Sequence, residues 1–212
     1  VDDLNQPLEC GWSNFGFYTI PLLDLPVQMS IPLHYENNLI SFYTLPNNTS
    51  VSNVVSDIEN NLTGIVGEGI AAQNSNGVWT GSIVDFDTYS GYWFRMSSDY
   101  DTLIVTGSNP DPNKVYQLHE GLNLISFPTS GSVSIPDAID DSIENQIPFV
   151  IGESKATAQF NGQWVGSLTT FEGGKGYWVN TNIELDFQYN LENLSLPRRN
   201  MNSFSSSTAK IF

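Results

Sequence analysis

The stretch "LHYENNLISF" at positions 33–42 is repeated as "LHEGLNLISF" at positions 118–127, and this repeat is the main evidence for the architecture of the chain. The match continues without a gap. "NGVWTGSIVDF" (76–86) aligns with "NGQWVGSLTTF" (161–171), and "GYW" (91–93) aligns with "GYW" (176–178). An internal match of this length indicates a duplicated structural unit. The chain therefore contains two homologous modules in tandem.

Each module is predicted to be mainly β. "NLISF" is a short apolar run typical of a buried strand. Next, Val54, Ile58 and Leu62 recur at every fourth position, and Ile139, Ile143 and Ile147 do so in the second copy, which predicts one short helix per module. Further apolar runs bounded by Gly and Asn follow: "IVGEGIAAQ", "VWTGSIV", "GYWFRM" and "TLIVTG" in the first copy. The predicted fold is α+β, with each module arranged β-α-β-β-β-β around a mostly antiparallel sheet.

The repeat also predicts the domain organisation. Module 1 spans residues 31–107 and module 2 spans residues 118–190, and the turn-rich stretch 108–117 links them. Residues 1–30 carry several aromatic side chains and are predicted to pack on module 1. Residues 191–212 are rich in serine and are predicted to form a C-terminal linker or arm.

The composition excludes two classes of partner. The 212 residues include 23 Asp and Glu but only 7 Lys and Arg, a net charge of −16. So few cations cannot neutralise a nucleic-acid backbone or an anionic membrane surface. No apolar run approaches the ~18 residues of a membrane-spanning helix, so membrane insertion is not expected. The single cysteine, Cys10, cannot form an internal disulfide, and it has no nearby histidine.

The stretch "GGKGYW" (173–178) suggests a phosphate-binding loop, but its context argues against one. A phosphate loop carries its lysine at the start of a helix, whereas Lys175 precedes a predicted strand. The aligned segment of module 1 is "TYSGYW" (88–93), where Ser90 replaces Lys175. Only the last glycine is common to both, which favours a turn that needs a positive φ.

Six aromatic residues form the candidate ligand-binding set. Flat rings bind sugars by stacking, which favours a carbohydrate or polymer platform, whereas small β modules also use such rings in their cores. Neighbouring residues of a strand point to opposite faces, so one ring of each Tyr-Trp pair is expected inside and the other outside. The candidates are Trp79, Tyr92, Trp93, Trp164, Tyr177 and Trp178.

No catalytic, metal or cofactor site is predicted. His34 and His119 occupy equivalent positions, a module apart, and make neither a catalytic pair nor a metal site unless the two copies face each other. Glu68 and Glu153 form an acid pair that both copies retain in a motif. As glycosidase carboxylates they would need a shared cleft. A structural role, with each glutamate holding backbone amides, is the favoured interpretation.

Three motifs of module 2 carry a family resemblance. "GLNLISFP" (121–128), the "W-x-G-S-L" pattern (164–168) and "GKGYW" (174–178) together resemble a repeat module of secreted and cell-surface bacterial proteins. Module 1 departs from the pattern, with "YENNLISFY" (35–43) and "YSGYW" (89–93). The resemblance implies a tandem accessory region of a larger extracellular protein, and it implies no particular activity.

Composition, repeat and resemblance together predict a non-enzymatic protein at the cell surface or outside the cell. Its expected role is structural or adhesive, as a subunit of a surface assembly or filament. Its expected partners are neighbouring copies of itself or a polysaccharide. The alternative is a carbohydrate-binding accessory module that uses the six aromatic residues.

Overall fold

The structure, a computed structural model, describes residues 26–98 and 100–197. Within them the chain is mainly β, with antiparallel strands and little helix, as the sequence predicts. Residues 1–25 of the predicted N-terminal segment, with Cys10, lie outside the described residues. Residues 198–212 of the predicted C-terminal arm do so as well.

Module 1 combines a five-stranded sheet with a two-stranded ribbon. The sheet has the order β2-β6-β3-β4-β5, and β1 pairs with β7 to form the ribbon. One helical turn, α1, follows β2. The bounds are β1 (Val27–Leu33), β2 (Glu36–Ser41), α1 (Val51–Val54), β3 (Leu62–Val66), β4 (Ala71–Ser75), β5 (Val78–Gly81), β6 (Gly91–Met96) and β7 (Asp101–Gly107).

Module 2 repeats this plan. Its sheet has the order β13-β12-β11-β15-β9, β8 pairs with β16, and β10 and β14 add a short ladder. Mapped through the sequence repeat, this is the sheet order of module 1. The bounds are β8 (Val115–Leu118), β9 (Gly121–Ser126), β10 (Ser132–Ser134), α2 (Ile135–Ala138), a 3₁₀ turn (Glu144–Gln146), β11 (Phe149–Gly152), β12 (Lys155–Phe160), β13 (Gln163–Gly166), β14 (Thr170–Glu172), β15 (Gly176–Thr181) and β16 (Leu185–Gln188).

Each module has its own core, which lies between the sheet and the ribbon. In β1, alternate residues Met29, Ile31 and Leu33 are buried, as expected for a strand with one face inward. They pack in one cluster with sheet residues such as Phe94. In module 2, Tyr116, Phe187 and Tyr189 supply the ribbon's side of a second cluster. The sheet's opposite face in each module is the outer face.

The predicted helices are shorter than the sequence pattern indicates. Val54, Ile58 and Leu62 are all buried, but α1 ends at Val54, turns follow, and Leu62 already opens β3. β-Branched residues such as Val54 and Val55 and the nearby Asp and Asn residues favour turns over helix, which explains the early end. Neither α1 nor α2 exceeds four residues, and no helix in the described residues is long enough to cross a membrane.

The predicted strand "IVGEGIAAQ" is two strands joined by a tight turn. β3 and β4 are connected across residues 67–70, where the Gly67 N–H donates to the Ile70 carbonyl at 2.9 Å and Gly69 has φ +68°. The same turn joins β11 and β12 in module 2. Gly69 supplies the positive φ of this turn in module 1, and Ser154, with φ +58°, supplies it in module 2. As a result, Glu68 and Glu153 lie at the tips of two hairpins.

The W-x-G-S motif closes the outer end of each sheet. A Cβ at Gly81 would lie 2.2 Å from the Ala71 carbonyl oxygen, so only glycine permits this close approach. Ser82 then donates its N–H to the Ala71 carbonyl at 2.8 Å. Gly166 and Ser167 make the same contacts in module 2. The motif is therefore structural.

Candidate functional site

The two tyrosines of the candidate aromatic set are buried. Tyr92 and Tyr177 are 1% and 2% exposed and belong to the two cores. Their hydroxyls accept hydrogen bonds from the N–H groups of Asp87 (3.1 Å) and Glu172 (2.8 Å). Burial raises the pKa of both phenols well above the ordinary value. Neither ring offers a face to a ligand, which removes both from the predicted platform.

Trp79 and Trp164 are half-buried and turn toward the cores. Each packs against the hydrophobic cluster of its own module. Trp79 donates its indole N–H to Glu59 Oε1 at 3.0 Å. The indole nitrogen of Trp164 is buried and has no hydrogen-bond partner among the described residues. The main role of these two rings is therefore to pack against the cores, not to bind a ligand.

Trp93 and Trp178 are the two rings that reach the outer faces. Both are half-buried and follow a buried tyrosine, so strand alternation places the two side chains of each pair on opposite sides of the sheet. Trp93 lies between Leu39 of β2 and Val66 of β3 in the register of the sheet. The six predicted residues thus do not form one surface, and the outward ring of each pair is the tryptophan.

Trp93 lines a groove on the outer face of module 1. The groove has a volume of about 900 Å³ and runs across all five strands of the sheet. Five residues in register cross it from β2 to β5, and we call them the polar row. The polar row consists of Asn37, Arg95, Gly64, Gln73 and Thr80.

Module 2 carries an apolar row at the equivalent positions. The residues in register across its outer face are Leu122, Asn180, Phe149, Ala158 and Val165. Phe149 stands where module 1 has Gly64, and Asn180 stands where it has Arg95. Leu122 and Val165 are 42% and 59% exposed. The two outer faces therefore differ in chemistry although the inner faces are alike.

The two histidines and the two retained glutamates meet between the modules. Nε2 of His34 lies 2.6 Å from Oε1 of Glu153, and Nε2 of His119 lies 2.6 Å from Oε1 of Glu68. We call these four residues the clasp. The two copies therefore face each other, and both histidines lie at the contact between them.

Each glutamate of the clasp also binds a backbone amide of the other module. Glu153 Oε2 accepts from the N–H of Leu39 at 2.7 Å, and Glu68 Oε2 accepts from the N–H of Leu124 at 2.7 Å. Every carboxylate oxygen of the pair is therefore engaged across the module boundary. The sequence favoured a structural role in which each glutamate holds backbone amides. The glutamates do bind backbone amides, and these amides belong to the opposite module.

The environment of the histidines favours the imidazolium form. The Nδ1 atoms of His34 and His119 lie 2.7 and 2.8 Å from the carbonyl oxygens of Tyr35 and Glu120. Both ring nitrogens thus face acceptors, which only the doubly protonated ring can satisfy. The bond to Glu153, followed by that to the Tyr35 carbonyl, raises the pKa of His34. For His119 the Glu120 carbonyl raises the pKa most, followed by Glu68.

The turns that precede the two GYW strands complete the contact. The N–H of Ser41 donates to the Gly174 carbonyl at 3.1 Å, and the N–H of Ser126 donates to the Tyr89 carbonyl at 2.8 Å. The carbonyl of Lys175 accepts from the Ser41 hydroxyl at 2.6 Å. The stretch "GGKGYW" therefore uses its backbone carbonyl groups to bind the other module.

Gly91 and Gly176 meet at the centre of this contact. A Cβ on Gly176 would lie 2.7 Å from the Ile40 carbonyl oxygen and 3.3 Å from Cα of Gly91. One on Gly91 would lie 2.8 Å from Cδ1 of Leu124. Neither glycine has a positive φ. The expectation of a turn with positive φ is wrong for these residues, and close approach of the two modules requires them instead.

Acidic residues do not gather into a metal site in the described part of the chain. No group of three or more His, Cys, Asp or Glu side chains is placed there to hold an ion. The polar row is not apparent as a site from the sequence alone. The only sequence feature that marks the polar row is a difference between the copies at outward-facing positions, such as Arg95 in module 1 and Asn180 in module 2. Residues common to both copies do not reveal it.

Comparisons with protein-family models, with curated proteins and with solved structures found no match for this chain.

Proposed function

We propose that this chain is a non-enzymatic structural or adhesive unit of an extracellular or cell-surface assembly. The observation that carries the proposal is the clasp. It joins the two modules into one body through His34, Glu68, His119 and Glu153. The outer faces stay exposed at positions such as Arg95, Leu122 and Val165, and the strands β5 and β13 at the far ends of the sheets are paired on one side only. Such a body suits a building block that presents surfaces to partners.

The far edges offer a route to self-association. Among the described strands, β5 and β13 are each paired on one side only, at the ends of the two sheets. An exposed edge can accept a strand from a neighbouring chain through backbone hydrogen bonds. Val78 of β5 and Val165 of β13 are 61% and 59% exposed, so both edges carry apolar side chains. This supports neighbouring copies of the chain as partners.

The extracellular location rests on composition and resemblance. The chain is acidic, poor in Lys and Arg, and contains a single cysteine. Its motifs resemble the tandem repeat of secreted and cell-surface bacterial proteins. We propose that the chain belongs to that group.

Sedimentation velocity over a wide range of protein concentration tests the structural role. We expect species larger than one chain to grow with concentration, and Val78→Lys to reduce them by charging the β5 edge. Ile104→Lys is the matched control, because Ile104 is equally apolar and 49% exposed but lies in β7, away from that edge. A chain that stays monomeric at every concentration, whole or with either terminus deleted, contradicts this role.

A carbohydrate-binding accessory module is the second candidate, and the groove beside Trp93 favours it. A half-buried indole next to amide, hydroxyl and guanidinium groups is an arrangement that suits a sugar ring. Affinity electrophoresis on a panel of polysaccharides, with Trp93→Ala and Trp178→Ala, tests it. Unchanged mobility across the panel removes this candidate.

A further inference from the structure

We propose that the groove of module 1 is a single saccharide site that takes a sugar bearing an anionic group, a uronate or a sulfate ester. Trp93 stacks on the apolar face of the sugar, and Arg95 pairs with the anionic group. The inference rests on the carbohydrate-binding candidate described above and names its ligand class.

The groove exists because Gly64 has no side chain. Gly64 lies between Arg95 and Gln73 in the polar row, and the nearest atom to a Cβ there is the Ala72 carbonyl oxygen at 3.6 Å. The backbone therefore does not require glycine at this position. Module 2 has Phe149 there, and that ring stands beside Asn180 in the row. The open space beside Arg95 is a property of module 1 alone.

Four side chains of the polar row have free hydrogen-bonding capacity. Asn37, Gln73, Thr80 and Arg95 are exposed, and none of their side chains makes a hydrogen bond or ion pair with any residue that the structure describes. They lie in register on one face, so their polar groups converge on the same groove. Amide and hydroxyl groups in such a row suit the hydroxyls of a sugar.

Arg95 decides the charge of the ligand. The chain carries 23 acidic residues, yet this guanidinium pairs with no described carboxylate. Glu36 is the one acidic side chain among the residues that line the groove, and it forms no ion pair with Arg95. A guanidinium matches a carboxylate or a sulfate through two parallel hydrogen bonds. The geometry therefore points to an anionic group at the Arg95 end.

Trp93 fixes the position of the ring. Trp93 lies two residues before Arg95 in β6. Because residues two apart in a strand point to the same side, both side chains lie on the outer face. A sugar stacked on the indole thus places a substituent toward the guanidinium. Module 2 keeps the tryptophan, as Trp178, but replaces the polar row. We expect one site per chain for this reason.

The net charge sets the choice of probe. A chain of net charge −16 repels a long polyanion, and this repulsion is screened beyond about 8 Å at physiological salt. Short oligosaccharides at physiological salt therefore report the groove itself. Three galactose-based hexasaccharides serve as probes: a galacturonate, a sulfated galactan and a neutral galactan.

Isothermal titration calorimetry with the full chain is the test. We expect one site per chain and an affinity for one or both anionic probes at least about tenfold above that for the neutral probe. The two anionic probes distinguish carboxylate from sulfate as the source. Arg95→Gln should reduce the anionic affinity to the neutral level, and Trp93→Ala should weaken binding about tenfold or more.

Two further variants keep the test specific. Gly64→Phe places the residue of module 2 in the groove and should abolish binding, and Trp178→Ala is the matched control that should leave it unchanged. Thermal unfolding of each variant shows whether it has folded, and Gln73→Ala serves if Gly64→Phe has not. Equal affinity for the neutral probe, two sites per chain, or an effect of Trp178→Ala equal to that of Trp93→Ala overturns the inference.

The failure of this inference is distinguishable from failure of the structural role. A chain that binds none of the three probes but assembles in the ultracentrifuge overturns the saccharide site and supports the structural role. A chain that does neither overturns both.

Discussion

Glu153 of module 2 contacts His34 of module 1 with 2.6 Å between Oε1 and Nε2, and its other oxygen holds the N–H of Leu39. The contact is repeated in the opposite direction by Glu68 and His119. Four predictions about the stability of the paired modules follow from these contacts and their surroundings.

The clasp should make the stability of the chain depend on pH near neutrality. The pKa of both histidines is raised in the folded chain, so the folded state holds these protons more tightly. This contribution is complete below the ordinary pKa of about 6.5 and is lost as the pH rises through the folded values. Other charges near the rings are Lys175, which opposes the shift at His34, and Glu184, which adds to it at His119.

Thermal unfolding of the wild type and of a His34→Gln/His119→Gln double variant measures this effect. The melting temperature of the wild type should exceed that of the variant. The difference should be largest at about pH 5.5, where free glutamates are still ionised, and smallest at about pH 8.5. A difference that is constant over this range, or that grows with pH, contradicts the prediction.

Removal of either clasp glutamate should destabilise the chain by similar amounts. Glu153→Ala leaves the amide of Leu39 without its acceptor, and Glu68→Ala does the same to Leu124. A buried amide that loses its partner costs about 1–3 kcal/mol. Urea unfolding measures the loss, and Glu192→Ala, an exposed change outside the contact, should have almost no effect. Equal stability of all three variants shows that the clasp contributes nothing.

A methyl group at the centre of the module contact should be poorly tolerated. Gly176→Ala and Gly91→Ala place a Cβ within 2.8 Å of atoms of the opposite module, so the modules must shift apart. Overpacking of this kind costs about 1–3 kcal/mol. Gly64→Ala is the matched control, since Gly64 also lies in a strand without positive φ, but a Cβ there would meet only the Ala72 carbonyl oxygen, at an ordinary contact distance of 3.6 Å. Its change in unfolding free energy should stay within about 0.5 kcal/mol, and losses as large as those at Gly91 and Gly176 contradict the steric explanation.

Because of Lys114, the stability of the chain should rise with pH between about pH 8 and 10.5. It is 5% exposed, donates to the carbonyl and hydroxyl of Thr88 at 2.6 Å each, and lies 4.3 Å from the centre of the Tyr89 ring. Burial lowers its pKa from 10.5 to about 8. In that window the unfolded chain binds more protons than the folded one, so the free energy of unfolding rises with pH.

Lys114→Met should abolish this rise, whereas Lys155→Met, at an exposed position, should keep it. Urea unfolding at several pH values between about 7.5 and 9.5 compares the three chains. Parallel curves for the wild type and Lys114→Met rule out a buried, titrating lysine.

Local patterns predicted most of the secondary structure but little of the contact between modules. The repeat and the alternation of buried residues, as in β1, depend on neighbours in the sequence, and these expectations agree with the strands observed. The helix pattern Val54, Ile58, Leu62 correctly marked buried residues, but β-branched and Asn-rich sequence confined α1 to one turn. Spacing alone cannot separate a helix from successive turns that bury the same side chains.

The candidate site shows the same limit. His34 and Glu68 were visible as residues that both copies retain, yet their partners lie 119 and 51 positions away in the chain. Which faces of two modules meet is set by tertiary packing, which the sequence of one module does not contain. The glycine of GYW is likewise common to both copies. Glycine is required there because the opposite module approaches closely, and not because the residue has a positive φ.

The reciprocity of the clasp has a consequence for how many chains can join. Each module contributes the same patch to the contact, so the interface is isologous and closes on itself. Once paired within a chain, neither module has a second copy of that patch to offer. In the assembly that we propose, the outermost sheet strands β5 and β13 would each join one neighbouring chain, which would give a valence of two per chain. A protomer of that kind would build lines or rings, with the whole tandem pair as the repeating unit.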